Sequence, residues 1–352
     1  MCDDHEHSAA EAAWSAPRAA DGPAVDPVTL PVVDEVTVTT MVDNTFDALL
    51  ASSEGVSRPA MGAGRVAAPQ FIDGETAAGL RAEHGFSALV TVRSGNTSST
   101  LLFDTGSSPD ALAVNAERLG IDVGGLRGVV LSHGHFDHAG GFAGLARLRG
   151  RTGLPLTVHP AVWTRRRLQL PGGRELEMPT LSRGALEREG FEVIERRQPS
   201  LLAGGILITG EVDRVTEFEH GMPPQHQAWD GHAWQHDPTV IDDQALVINV
   251  RDRGLVVITG CGHAGVVNIL RHAMRLTGVS RLLAVIGGFH LSGPAFEPII
   301  DPTVAALTEL APELIVPGHC TGWRAQHALA AALPDAWAQT SVGTRYTLSV
   351  PG

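Results

Sequence analysis

The chain has 352 residues, 43% of them hydrophobic and 18% charged, an ordinary composition for one large or two small globular domains. Its net charge of −13 argues against a nucleic-acid backbone as partner. The complete lack of lysine excludes Schiff-base chemistry, lysine-anchored pyridoxal phosphate and a phosphate-loop lysine.

In chain order, residues 1 to about 27 are rich in Ala, Pro, Asp and Glu without periodicity and read as a disordered tail. Cys2, His5 and His7 belong to that solvated stretch. The first twenty residues lack a basic start and an apolar core, so no signal peptide and a cytoplasmic location are expected. No apolar run reaches the ~20 residues of a membrane span, so no membrane partner is expected. Residues 28–352 are read as one domain. Strands are predicted at 35–42, 86–93, 99–104, 128–132, 155–158, 206–209, 244–250, 254–259, 282–286, 313–316 and 345–350. Helices are predicted at 109–119, 139–149, 181–189, 264–276, 301–310 and 323–332. Strands dominate the first part, and later strands alternate with helices. The pattern predicts an α/β fold with two mixed sheets packed face to face and helices outside. The run Arg165-Arg166-Arg167 reads as a solvated helix face. Residues 210–243 hold no convincing element and read as a long, lid-like loop.

The chemistry concentrates in His133-Gly134-His135-Phe136-Asp137-His138. Four potential ligands stand in six residues, directly after the apolar strand Gly128–Ser132 and before a helix. Alternating His133 and His135 can aim at one point, Asp137 and His138 at a neighbouring one. Imidazole and carboxylate suit zinc, iron or manganese. One or two ions are expected, zinc first.

His-x-His-x-Asp-His after a strand resembles the signature of the metallo-β-lactamase superfamily, and other segments resemble it in chain order. Leu102-Phe103-Asp104-Thr105-Gly106 is similar to the first motif, whose aspartate braces the metal loop. Val256–Cys261 is similar to the strand that carries the bridging ligand, with Cys261 where aspartate is usual. Ile315–Cys320 is similar to the fifth motif, whose histidine, here His319, binds the second metal. The resemblance implies the αββα sandwich of that superfamily. The strings Val42-Asp43-Asn44, Glu83–Ser87, Gly260–Gly265, Ile286–Leu291 and Gly318–Gly322 resemble a narrower branch. That branch is commonly labelled dihydropterin-ribofuranosylaminobenzene-phosphate synthase-like.

The pattern departs at the third ligand of the first metal. Ile208-Thr209-Gly210-Glu211 stands where Gly-His is usual, so Glu211 and His263 are rival candidates. Cys261 is read as lying at the metal, against the alternative of a small buried hydrophobe. Cys320 is assigned to packing or to a place behind the ligands. His290 ends an apolar run and is a catalytic candidate with Asp137 and His263, because the ribonuclease Z-like branch turns a residue at this strand end toward substrate phosphate. His220, His226, His232 and His236, taken singly, read as polar loop residues. Trp229 and Trp234 are expected to stack on a substrate ring, and Arg214 to pair with an anionic group.

The expected activity is hydrolysis of a small phosphorylated or cyclic ester by a hydroxide held between two metals. The resemblance offers a pterin-linked synthase, using the metals as Lewis acids, as the alternative. A non-catalytic metal or ligand sensor is the reading of another class.

Overall fold

The computed structural model describes residues 27–60 and 64–350. The expected tail, with Cys2, His5 and His7, lies outside the described residues up to position 26. Among the described residues two large mixed sheets form. In the first, the strand order is Ser200–Leu202, Ile206–Ile208, Leu246–Val250, Gly254–Thr259, Leu282–Gly288 and Leu314–Gly318, with Val32–Val33 alongside Leu246–Val250. The last three strands run parallel. In the second, the order is Phe191–Glu195, Leu154–Val158, Val129–Val130, Thr97–Phe103, Ser87–Ser94, Glu35–Val42, Arg345–Ser349 and Val56–Ser57, and its first four strands run parallel.

The alternation of side chains along these strands explains the layers. In Gly254–Thr259 every residue is buried, as expected where both faces of a strand are covered. Val256 and Ile258 enter the inter-sheet core with Val36, Val90, Phe103 and Ile286. Leu255 and Val257 face the other way, onto the helices Val266–Thr277, Ile300–Leu310 and Trp323–Ala332. Leu102, Val129 and Leu156 likewise turn outward onto Ala111–Leu119 and Phe142–Arg149. This is the predicted sandwich, helix–sheet–sheet–helix.

The helix Val266–Thr277 illustrates how sequence fixes an element. Val266, Ile269, Leu270, Ala273 and Leu276 recur at three- and four-residue spacing and are all buried. Gly278 ends it in a left-handed conformation at φ 69°. Its first amides have no capping side chain of their own. Glu219, from a distant loop, accepts from Val267 N at 2.9 Å and Asn268 N at 2.8 Å instead.

Two sequence expectations fail here. Arg166 is not on a solvated helix face: it opens the strand Arg166–Leu170, which pairs with Arg174–Glu177. Residues 210–243 are not irregular throughout. They contain the hairpin His226–Trp229 and Trp234–His236, which completes a small four-stranded antiparallel sheet with those two strands. Among the described residues no helix is long and apolar enough to cross a membrane.

Candidate metal centre

The site forms where strands from both sheets run out at their C-terminal ends. Thr97–Phe103 delivers Asp104, Val129–Val130 leads to His133, Gly254–Thr259 to Cys261, Leu282–Gly288 to His290 and Leu314–Gly318 to His319. Close approach of these turns demands glycine. A Cβ on Gly260 would collide with the Ser132 hydroxyl. Asp104, His290 and His319 all hold left-handed backbone, at φ 60°, 44° and 48°. Non-glycine residues avoid that region unless the surroundings impose it, and such strain gathers at functional sites.

Two histidine-rich groups of ligand atoms converge, and Cys261 forms a third group with His290 and Cys320. In the first, His133 Nε2 lies 3.0 Å from His135 Nδ1, and His263 Nε2 lies 3.2 Å and 3.1 Å from these two. In the second, Cys261 Sγ lies 3.1 Å from His138 Nε2 and 3.3 Å from His319 Nε2, and Asp137 Oδ2 lies 3.3 Å from His319 Nε2. Cys261 also joins His133 and His263 in a group, so its thiol stands between the two positions. Four ligands at 2.0–2.1 Å around a tetrahedral ion lie roughly 3.3 Å apart, close to these separations.

Hydrogen bonds behind the rings decide which nitrogen is free. His138 Nδ1 donates to Asp104 Oδ2 at 2.7 Å, leaving Nε2 for a metal. Ser132 Oγ donates to the same carboxylate at 2.7 Å and so accepts from His133 Nδ1 at 2.9 Å, which frees His133 Nε2. His319 Nδ1 donates to Asn44 Oδ1 at 3.2 Å. His226 Nδ1 donates to the Asp237 carbonyl at 3.1 Å, so its Nε2 accepts from His135 Nε2 at 3.1 Å and leaves His135 Nδ1 bare. In all four cases the nitrogen without an outer partner is the one that faces the cluster. That arrangement is how outer partners orient histidine ligands. The Nδ1 of His263 is buried without a hydrogen-bond partner.

Charge follows the same logic. Burial, then the neighbouring cationic groups, holds His133, His135 and His263 well below the usual imidazole range, in the neutral form that binds metal. Burial opposes a charge on His138, but Asp104 and Asp137 outweigh it and lift this group to about 9, so an ion at its Nε2 would have to displace a proton. Burial also works against an ionised Asp137, yet His138, His319 and His135 hold it well below the usual carboxylate range. The donor set of nitrogen, carboxylate and thiol therefore fits a pair of divalent ions of the zinc or iron type.

The remaining expected residues are distributed unevenly. His263, and not Glu211, meets His133 and His135. Glu211 accepts from His159 Nε2 at 3.1 Å and from Arg197 at 2.6 Å. Glu211→Ala is expected to leave metal content unchanged, whereas His263→Ala releases the ion shared with His133 and His135. Elemental analysis after dialysis distinguishes them, and equal retention in both variants would remove His263 from the site. Arg214 does not face an open anion site: its guanidinium donates to the carbonyls of His263, at 3.0 Å, and Thr239. Trp229 and Trp234 pack edge to face on each other, with the guanidinium groups of Arg165 and Arg167 against their rings. Neither lines the cavity beside the cluster, which Phe218, Pro223, Phe289, Phe296, Ile299 and His290 wall instead. His290 sits 4.2 Å from the His263 ring, and the Sγ of Cys320 donates to the Cys261 carbonyl at 3.2 Å.

Sequence reasoning missed a second set of braces. Asp242 Oδ2 accepts from Gly134 N at 2.8 Å, Asp243 Oδ2 from Ala264 N at 2.8 Å, and Gln244 holds Ser132 and Leu131 through their carbonyls. Residues 242–244 thus tie the turn that carries His133 and His135 to the turn after Cys261. Two adjacent acids before a buried strand were the available signal. His226 gave none, since its partner His135 is 91 residues away.

Comparison with known proteins agrees with this fold. The family model described as the metallo-beta-lactamase superfamily matches residues 81–268. A 7,8-dihydropterin-6-methyl-4-(beta-D-ribofuranosyl)-aminobenzene-5'-phosphate synthase of Methanocaldococcus jannaschii is 28% identical over 250 residues, 70% of this chain and 83% of that protein. An uncharacterized protein of the same organism is 29% identical over 248 residues, 69% of this chain and 86% of the relative. Among solved structures, a metal-dependent hydrolase of the beta-lactamase superfamily superposes with a TM-score of 0.64 at 26% identity, over 90% of this chain and all of that one.

Proposed function

The chain belongs to the metallo-beta-lactamase superfamily, and we propose that it is a metal-dependent hydrolase of a small ester, phosphorylated or cyclic, with a dinuclear centre. The observation that carries this reading is the pair of ligand groups meeting at Cys261, each histidine of the four with an outer partner presenting its free nitrogen inward. Divalent ions bound there supply Lewis acidity and an activated water at neutral pH. His133, His135 and His263 would hold one ion and Asp137, His138 and His319 the other, with Cys261 between them. The protein's own part is to keep these groups fixed on strand ends and to exclude competing water. His290, at the cavity wall and in ring contact with His263, is placed to hand a proton to the departing group. Arg214 is committed to backbone carbonyls, so a phosphoryl group would be the reacting centre, not a tail gripped by that arginine.

The test is a panel of aryl esters, lactones, phosphomonoesters and cyclic phosphodiesters offered to protein loaded with zinc, manganese or iron. Turnover of at least one class, abolished by a chelator and by His133→Ala, is the expected result. Turnover that survives both would overturn the proposal.

The likeness to the Methanocaldococcus jannaschii synthase supports a second reading, in which the same centre polarises the partners of a condensation between a pterin and an aminobenzene-ribosyl phosphate. Mass-spectrometric detection of a joined product in the presence of metal, with no ester cleaved, would favour it over hydrolysis.

A further inference from the structure

We propose that the cavity beside the cluster receives a single uncharged ring of the substrate, next to the group that reacts. The inference rests on the metal-centre reading and adds the chemical class of what lies beside it.

The cavity measures about 150 Å³. An apolar cavity of about that size holds one benzene-sized ring. Its walls are Phe218, Pro223, Phe289, Leu291, Phe296 and Ile299, and its inner end is formed by His263 and His290. Phe296 stands edge-on to His290 at 86° and 4.5 Å, which leaves aromatic edges and faces for a flat guest to stack against. His263, whose Nε2 belongs to the first ligand group, lines this same space. A group seated here therefore abuts the reacting centre.

Charge selects the guest. No arginine lines the cavity among the described residues, and the chain has no lysine. Glu219 is the one carboxylate in the lining. Its Oε1 accepts from Val267 N, and its Oε2 accepts from Asn268 N and, at 2.9 Å, from the Thr216 hydroxyl. A carboxylate so employed in ordering the start of Val266–Thr277 has little capacity left for a cation. A neutral ring suits the space better than a phosphate or an ammonium group. The segment 210–243 thus contributes to selection through Phe218 and Pro223, not through its tryptophans.

The test uses hydroxamates, whose head group anchors on a protein-bound metal. On zinc-loaded protein, calorimetry is expected to show benzohydroxamate binding about ten- to a hundredfold more tightly than acetohydroxamate, the gain from burying one apolar ring. 4-Carboxybenzohydroxamate should lose that gain, because its carboxylate would enter a largely apolar lining with no arginine or lysine to pair with it. Ala295 is an exposed residue on the cavity rim, and Ala295→Trp should reduce benzohydroxamate to the affinity of acetohydroxamate. Equal affinity of the two in wild-type protein, or a benzohydroxamate advantage that persists in Ala295→Trp, would overturn the ring site while leaving the metal centre standing. Failure of both hydroxamates to bind would overturn the metal centre itself, and the ring site with it.

Discussion

Replacing Cys261 with alanine is expected to weaken metal binding at both positions, by more than the 10- to 100-fold that loss of an outer partner typically costs. Cys261 Sγ is the donor common to the group with His138, His319 and Asp137 and the group with His133 and His263. Removing any other ligand strikes one position directly; removing this one strikes both. The thiol is also the soft member of the set. Cys261→Asp should restore binding while moving preference away from zinc toward harder ions such as manganese. Cys320→Ser should change little, because its sulfur donates to the Cys261 carbonyl and packs against Gly288. Elemental analysis and chelator competition measure all three. Undiminished affinity in Cys261→Ala would return the residue to packing.

The sequence made the centre partly legible because ligands crowd where chain order already brings them together. His133, His135, Asp137 and His138 stand within six residues after a buried strand, and a tight turn there can only aim them at a common region. The choice between Glu211 and His263 was not legible. It depends on which strand end reaches His133, a matter of sheet geometry, and Glu211 finds His159 and Arg197 first. The strands Arg166–Leu170 and Arg174–Glu177 were missed for another reason. Their cross-strand charges, Arg167 to Glu175 and Arg165 to Glu177, mimic a solvated helix face. The Pro171-Gly172-Gly173 turn between them was the better signal, since paired glycines allow the left-handed backbone of a tight hairpin. The hairpin 226–236 was hidden by Gly231 and by prolines 223 and 224 ahead of it, and short strands that depend on a distant partner leave little periodicity to read.

Arg166 lies at the junction of those missed elements, and it supplies the largest stability effect to be expected outside the ligands. Its guanidinium is 3% exposed, bonds Asp237 at 2.9 Å, and reaches both oxygens of the fully buried Asp242, at 2.5 and 3.2 Å. Burial penalises its charge, but the two aspartates reverse the effect and raise it above the ordinary arginine range. Asp242 in turn holds the amide of Gly134 between the first two histidines. The Asp237 carbonyl orients His226, which orients His135. Arg166→Met keeps most of the volume but leaves the fully buried Asp242 and the partly buried Asp237 without their cation. Breaking a buried pair from one side costs about 3–5 kcal/mol, so in a domain of this size a melting temperature lower by roughly 4–8 °C is expected. Metal affinity should fall with it, since both routes from Arg166 end on the turn that carries His133 and His135. Adding Asp237→Asn and Asp242→Asn removes the orphaned charges and should recover part of the melting temperature. It should not restore metal affinity in full, because Gly134 would then be held by a neutral amide oxygen in place of a carboxylate. Thermal denaturation of the apo and zinc-loaded forms separates the two effects. A shift below about 1 kcal/mol in the single variant would mean that water enters to solvate Asp242, and that the small sheet is not what fixes the metal loop.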